Sequence, residues 1–298
     1  MTKTLRSERL SELRRETRRE TRRETPRADG AQLGGGVKLS ILMAAYNEER
    51  TISRAIDAVL AVQYPCEIEL IVVDDGSWDR TAQLLGKASD ERLRVSTHPC
   101  NQGKGAALLT AAGIATGTHV LPFDADMEYV PTDIPRLLDP VIRGRCDVVY
   151  GARLFGFNTV YQSYRYAVGN RLLTLAANVL FDAHLADLHT CLKLVPLQTF
   201  RSLHLTSKGF GLDTEITARL LQRGVRPFEV PVSYYSRSRA DGKKVTWKDG
   251  VRCLLILGRI RASRSHQPSR GPVLLRPSPG RPGRVGGGVV GSGSGEAA

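Results

Sequence analysis

The sequence predicts an α/β fold in which a mostly parallel central sheet is flanked by helices. Three observations carry this. Short aliphatic and β-branched runs alternate with stretches of helical periodicity. The segments between successive strands are long enough for the crossovers that parallel pairing requires. The alternation is confined to residues 37–262, and the segments on either side differ from it in composition.

The elements follow in order. Residues 38–45 (KLSILMAA) are almost continuously apolar, as a strand buried on both faces must be. Residues 49–62 place apolar side chains at 52, 55, 56, 59 and 60, a helical stripe. Residues 68–73 (IELIVV) read as a strand, 79–88 as a short helix and 93–97 as a strand. An Ala/Leu helix over 104–115 precedes a strand at 119–123, then a helix at 134–143 and a strand at 147–150. Beyond residue 155 the rhythm changes. Tyr161, Tyr164, Val168, Leu172, Leu175 and Val179 mark a long amphipathic helix. A strand at 190–195, a helix at 214–222 and a strand at 225–232 follow. The last helix, 247–261, has apolar residues at 247, 251, 254 and 255 and basic ones at 248, 252, 259 and 261. That pattern suits a core helix with a solvated basic face, or a helix lying on an anionic membrane surface.

Charge separates the middle from the ends. The chain of 298 residues carries 43 Lys or Arg and 30 Asp or Glu, a formal net charge of +13. Residues 1–36 contain ten basic and six acidic side chains, including three repeats of R-R-E-T with almost no apolar face. Residues 263–298 contain five Arg and one Glu among Gly, Pro and Ser. Both segments read as disordered tails around one domain at 37–262. With most of the excess charge in the tails, a chain-wide nucleic-acid footprint is poorly supported, and no nucleic-acid partner is expected.

No run of 18 apolar residues occurs, and the N-terminus lacks the apolar segment of a secretory signal. The five cysteines are scattered, with no C-x-x-C, as expected of reduced, mostly buried thiols in a cytoplasmic protein.

Ligands of open parallel sheets bind beyond the carboxyl ends of the strands. Each predicted strand ends there on polar residues: Tyr46-Asn47-Glu48, Asp74-Asp75-Gly76-Ser77, Asn101-Gln102-Gly103-Lys104, Asp124-Ala125-Asp126-Met127-Glu128 and Gly151-Ala152-Arg153. Asp124 and Asp126 repel each other unless a cation or a donor lies between them. Their hard oxygens suit Mg²⁺ or Mn²⁺, which would in turn bridge phosphate oxygens. A P-loop is excluded because His98 stands where its first glycine belongs and Gly105 follows Lys104. No G-x-G-x-x-G follows the first strand.

Taken in order, S-I-L-M-A-A-Y-N-E, V-V-D-D-G-S, N-Q-G-K-G-A-A, D-A-D-M-E and G-A-R resemble the motifs of family 2 glycosyltransferases with the GT-A fold. Within that family the resemblance is strongest to the polyprenyl-phosphate sugar synthases, the group of dolichyl-phosphate mannose synthase, and it spans about residues 38–260. Residues 209–215 (GFGLDTE) and 229–232 (EVPV) resemble the acceptor half, and 237–244 the basic loop that contacts phosphates.

The resemblance implies an inverting, metal-dependent hexosyl transfer from a nucleotide-diphosphate sugar, GDP- or UDP-hexose, to a polyprenyl phosphate. The enzyme would then be cytoplasmic, with peripheral contact at the cytoplasmic face of the membrane. By motif position, Tyr46, Glu48, Asp74 and Asp75 would hold the nucleoside, and Asp124, Asp126 and Glu128 the metal. Lys104, Arg153, Arg237, Arg239, Lys243 and Lys244 would meet phosphates. Asp126 would be central to catalysis, and a hydroxyl acceptor would need Asp213 or Glu215 as base. Both of these residues equally suit the first turn of a helix. Three departures stand out: Ala44 replaces a frequent Pro, Glu128 replaces a Gln, and only Arg165 lies near the Arg expected early in the long helix. A saccharide or other hydroxyl acceptor is the nearest alternative. A sugar-nucleotide nucleotidyltransferase is more remote, since residues 42–50 lack its Gly-rich basic loop.

Overall fold

A computed structural model describes residues 36–153, 159–160, 163–237 and 247–263. The expected tails, apart from Gly36 and Ser263, and the basic-loop residues Arg239, Lys243 and Lys244 lie outside the described residues.

The order of elements is β1 (Lys38–Ala45), α1 (Ile52–Leu60), β2 (Glu67–Asp74), α2 (Thr81–Leu85), β3 (Leu93–Thr97), α3 (Lys104–Ile114) and β4 (His119–Pro122). A 3₁₀ turn (Pro131–Asp133), α4 (Ile134–Ile142), β5 (Val149–Ala152), β6 (Thr159–Val160) and α5 (Tyr164–Phe181) come next. The chain continues through β7 (Lys193–Pro196), α6 (Leu197–Ser202), α7 (Leu212–Gln222), β8 (Phe228–Pro231), β9 (Tyr234–Tyr235) and α8 (Trp247–Ala262). Seven strands form one sheet in the order β3-β2-β1-β4-β7-β5-β8. All pairings are parallel except those of β7, which runs antiparallel between β4 and β5. β6 and β9 form a separate parallel pair.

The alternation of side chains along β1 and β2 builds two cores. Leu39, Ile41, Met43, Leu70 and Val72 face one side, where Ile52, Ile56 and Val59 of α1 and Leu137 and Leu138 of α4 cover them. Leu42, Ile71 and Val73 face the other side, against Ala107, Leu108 and Ala111 of α3 and Ile216 and Leu220 of α7. Both faces are dry, which explains the unbroken apolar runs. Truncating a fully buried member such as Leu70 to Ala would cost about 2–5 kcal/mol.

One polar feature interrupts this core. Ser40 Oγ donates to Glu69 Oε1 at 2.6 Å, and the same carboxylate accepts from the Thr116 and Gly117 amides. The latch joins β1 and β2 to the turn between α3 and β4. A Cβ at Gly117 would lie 2.5 Å from Ser40 Oγ, so this position needs glycine.

The structure shifts several predicted boundaries. β5 begins at Val149 rather than 147, and the strand predicted at 190–195 forms only from Lys193, because the antiparallel β7 is registered by its pairing with β4 and β5. The α6 helix and the small β6–β9 pair have no periodic signal of useful length and were not anticipated. All five cysteines are free. Cys191 and Cys253 are buried as expected, whereas Cys100 is exposed. Among the described residues, no helix is long and apolar enough to cross a membrane.

Candidate active site

Because β1, β2 and β4 run parallel, their carboxyl ends open onto one rim. The loops there are laced together. The Asn47 amide donates to Ser77 Oγ at 3.0 Å, the Trp78 amide to Asn47 Oδ1 at 3.1 Å, and the Glu48 amide to Thr81 Oγ1 at 2.9 Å. Asn47 (φ 53°) and Met127 (φ 62°) occupy the left-handed region at the ends of the β1 and β4 segments. Asn tolerates this conformation. Met does so at some strain, a feature typical of loops whose geometry serves a site.

The acidic cluster is held by two cations. Lys104, the first residue of α3, places Nζ 2.6 Å from Asp124 Oδ1. Arg237 Nη2 lies 3.0 Å from Asp126 Oδ2, and its Nη1 lies 3.5 Å from Glu48 Oε2. Burial raises the Asp126 carboxyl to about 7, reinforced by Asp124 and Glu128 and opposed by Arg237. Burial works against the charge on Lys104, but Asp124, Cys191 and Asp213 outweigh it and raise its pKa.

Glu128 also bonds the β9 segment. Its Oε2 accepts from Tyr234 OH at 2.5 Å and its Oε1 from the Arg237 amide at 2.7 Å. No group of three His, Cys, Asp or Glu side chains poised for a metal exists among the described residues. The expected three-carboxylate set is therefore not assembled, since Glu128 ties the β9 segment to the β4 loop instead. Two aspartates still suit a divalent cation, because Mg²⁺ and its kin commonly take one or two carboxylates and complete their shell with substrate phosphates and water. The electrostatic excess at half-buried Asp126 is the kind that a cation relieves.

Three further expected site residues have structural commitments. Asp75, buried, accepts from His98 Nδ1 at 2.7 Å and from the Gln102 and Gly103 amides at 2.9 and 2.7 Å. These contacts shape the N-Q-G-K loop. Gly103 at φ 98° answers that demand, and a Cβ there would strike the Lys208 carbonyl. Arg153 is locked to Asp187 through Nε at 2.5 Å and Nη2 at 2.8 Å, and it stacks over Tyr234 at 4.8 Å. Buried Asp187 requires that partner, so much of the Arg153 charge is engaged within the protein. Glu215 accepts from the Thr206 and Ser207 amides and from Arg219. Burial opposes its charge, but these donors overcome it and lower its pKa.

Tyr46 and Glu48 are half-buried on the rim. Asp74 Oδ1 accepts from Ser77, while its buried Oδ2 has no hydrogen-bond partner among the described residues. Asp213 lies within 3.3 Å of Lys193 Nζ. Burial there is outweighed by Lys193, Lys104 and His189, so its pKa falls.

Sequence reasoning missed Asp187, Lys193, Tyr234 and the role of His189. His189 links Asn170 Oδ1 (3.0 Å) to Thr214 Oγ1 (2.9 Å), and burial followed by Lys193 lowers it to about 4, so it is neutral. No local pattern marks these residues, because their partners come from other elements. A cavity of about 910 Å³ lies at the opposite ends of β1 and β2, lined by Lys38, Tyr64, Glu67, Glu69 and Arg92, whose charges are already paired.

The profile of Glycosyl transferase family 2 matches residues 40–200, more than half of the chain. The chain belongs to glycosyl transferase family 2. A similar protein is the glycosyltransferase AglJ of Haloferax volcanii, 30% identical over 198 residues, covering 66% of this chain and 63% of AglJ. The polyprenol monophosphomannose synthase of Mycolicibacterium smegmatis is 27% identical over 208 residues, covering 66% of this chain and 77% of that one. The chain spans 38–63% of the length of three Haloferax relatives. Among solved structures, glucosyl-3-phosphoglycerate synthase of Mycobacterium tuberculosis, in complex with Mn²⁺, UDP-glucose and phosphoglyceric acid, superposes with a TM-score of 0.58 at 20% identity, over 78% of this chain and 83% of that one. The family 2 member thus has the GT-A fold anticipated from its motifs, and the nucleotidyltransferase alternative is set aside.

Proposed function

We propose that this protein transfers a hexose from a nucleotide-diphosphate sugar to a polyprenyl phosphate, with inversion at the anomeric carbon. The observation that carries the reading is the Asp124–Asp126 pair at the end of β4, flanked by Lys104 and Arg237. This is an acidic site beside fixed cations, suited to a metal-bound diphosphate. The nucleoside would lie along Tyr46, Glu48 and Asp74, whose Oδ2 is without a partner among the described residues. Asp124 and Asp126 would hold Mg²⁺ or Mn²⁺, which when bound supplies positive charge to the diphosphate. The complex of the M. tuberculosis enzyme with Mn²⁺ and UDP-glucose supports this choice of groups.

In the transfer, an acceptor oxygen attacks the anomeric carbon as the bond to the diphosphate breaks, and the electron pair leaves on the diphosphate oxygen. Lys104, with its charge held by its carboxylate neighbours, stabilises that developing negative charge. Attack from the face opposite the leaving group inverts the centre.

The acceptor side favours a phosphate. Glu215 is consumed by its donors, and the Lys193 pairing lowers the basicity of Asp213. A weak carboxylate base suits an acceptor already ionised near neutral pH, for which no proton need move. The similarity to a polyprenol monophosphomannose synthase points the same way, and such an acceptor would place the enzyme at the cytoplasmic membrane face. Competing acceptors test this: with Mn²⁺ and labelled GDP- or UDP-hexoses, label should enter an acid-labile lipid product when polyprenyl phosphate and saccharide hydroxyls are offered together. Label entering only the hydroxyl acceptors would contradict the reading.

A further inference from the structure

The long helix α5 and the last helix α8 share one hydrophobic cluster with α7, in which Ala177 and Phe181 of α5 meet Leu257 and Ile260 of α8. Arg261 Nε donates to the Leu180 carbonyl at 2.7 Å, and Gln222 Nε2 of α7 to the Ile260 carbonyl at 2.5 Å, so the inner side of α8 is fully engaged. The outer sides mix basic with apolar side chains, unlike a fully solvated helix face. Half of the large apolar side chains exposed among the described residues lie on these two helices. On α5, Leu172, Leu175 and Val179 are 61, 57 and 73% exposed, at spacings that place them on one face. On α8, Val251, Leu254 and Leu255 do the same, with Leu255 68% exposed.

Beside the α8 stripe run exposed Lys248, Arg252 and Arg259. The α5 helix contains no acidic residue, and α8 contains one, Asp249, in its first turn. An apolar stripe edged by cations fits the boundary of an anionic bilayer: aliphatic groups enter the acyl region while the long basic side chains reach the headgroup phosphates. A second copy of the chain would bring its own cationic row to the contact and gain no counter-charge. The surface is also near the acceptor side, since buried Cys253 of α8 hydrogen-bonds Thr214, the neighbour of Asp213.

We infer that the outer faces of α5 and α8 form a docking surface for an anionic lipid bilayer. The inference deepens the lipid-phosphate reading above, but its test involves neither donor nor acceptor. The full chain is sedimented with phosphatidylcholine vesicles, with and without phosphatidylglycerol. The wild type should bind the anionic vesicles about tenfold more tightly than the neutral ones and release with salt. Leu172→Ser/Leu175→Ser and Leu254→Ser/Leu255→Ser should each weaken binding about tenfold with circular dichroism unchanged, and Arg252→Gln/Arg259→Gln should remove the preference for anionic lipid. Equal vesicle binding by all variants, or none by the wild type, overturns the inference. So does a wild-type dimer that the serine variants render monomeric without altering vesicle binding. Hexosyl transfer to detergent-solubilised polyprenyl phosphate in the same preparation shows whether the acceptor reading stands independently.

Discussion

Arg237 reaches across 111 residues to place Nη2 3.0 Å from Asp126 Oδ2, closing the β9 segment over the carboxylates that end β4. Its backbone amide fastens to Glu128 as well. The guanidinium thus supplies the positive charge that the cluster demands. Burial opposes that charge, but Asp126, Glu48 and Glu128 raise its pKa.

Arg237→Ala should therefore strengthen Mn²⁺ binding in the absence of donor, because the internal cation no longer competes. It should also weaken transfer, because the diphosphate loses a partner. Manganese paramagnetic resonance reads the first effect and product formation the second. Unchanged metal affinity would show that Arg237 and the cation do not share the carboxylates.

The raised Asp126 gives a pH dependence of defined sign. Its carboxyl is lifted to about 7, and a protonated carboxyl cannot hold a cation. Mn²⁺ affinity should fall as pH drops below about 7, by about tenfold per unit if one proton is displaced. The same shift makes the folded state bind this proton more tightly than the unfolded chain does, so Asp126 subtracts stability as pH rises from about 4 towards its folded value. Asp126→Asn should flatten both trends. Metal binding insensitive to pH in the wild type would argue against Asp126 as a ligand.

Arg153 and Asp187 form a buried pair, and breaking one side leaves an uncompensated charge costing about 3–5 kcal/mol. Arg153→Met should lower the melting temperature markedly while the surviving folded protein keeps its KM for the donor. A raised donor KM with normal stability would return Arg153 to the phosphate site.

Glu215→Gln should cost about 1–3 kcal/mol of stability through its backbone and Arg219 contacts. Turnover of the folded variant should stay within severalfold. Loss of a general base would instead reduce it by about 10²–10⁴.

These contrasts mark what the sequence made legible. Strands β1 and β2 were readable from apolar runs buried on both faces and α1 and α4 from their apolar stripes, and the strand-end motifs located the rim. The antiparallel β7 was not readable, since strand direction depends on long-range pairing with β4 and β5. Nor were the partners of the charged residues. Asp75, Arg153 and Glu215 look like ligand residues in a string of motifs. The structure commits them to His98, Asp187 and Arg219, which sequence spacing does not reveal. Asp124 and Asp126 lie together because they leave the same strand end, but their cationic partners Lys104 and Arg237 come from α3 and the β9 segment.

The most direct test of the account is transfer of labelled hexose to polyprenyl phosphate by wild type and Asp126→Ala side by side, with Mn²⁺ present and folding verified by circular dichroism. The account predicts an acid-labile glycolipid from the wild type and loss of transfer in the variant by about 10²-fold or more. Near-normal glycolipid formation by Asp126→Ala would contradict it.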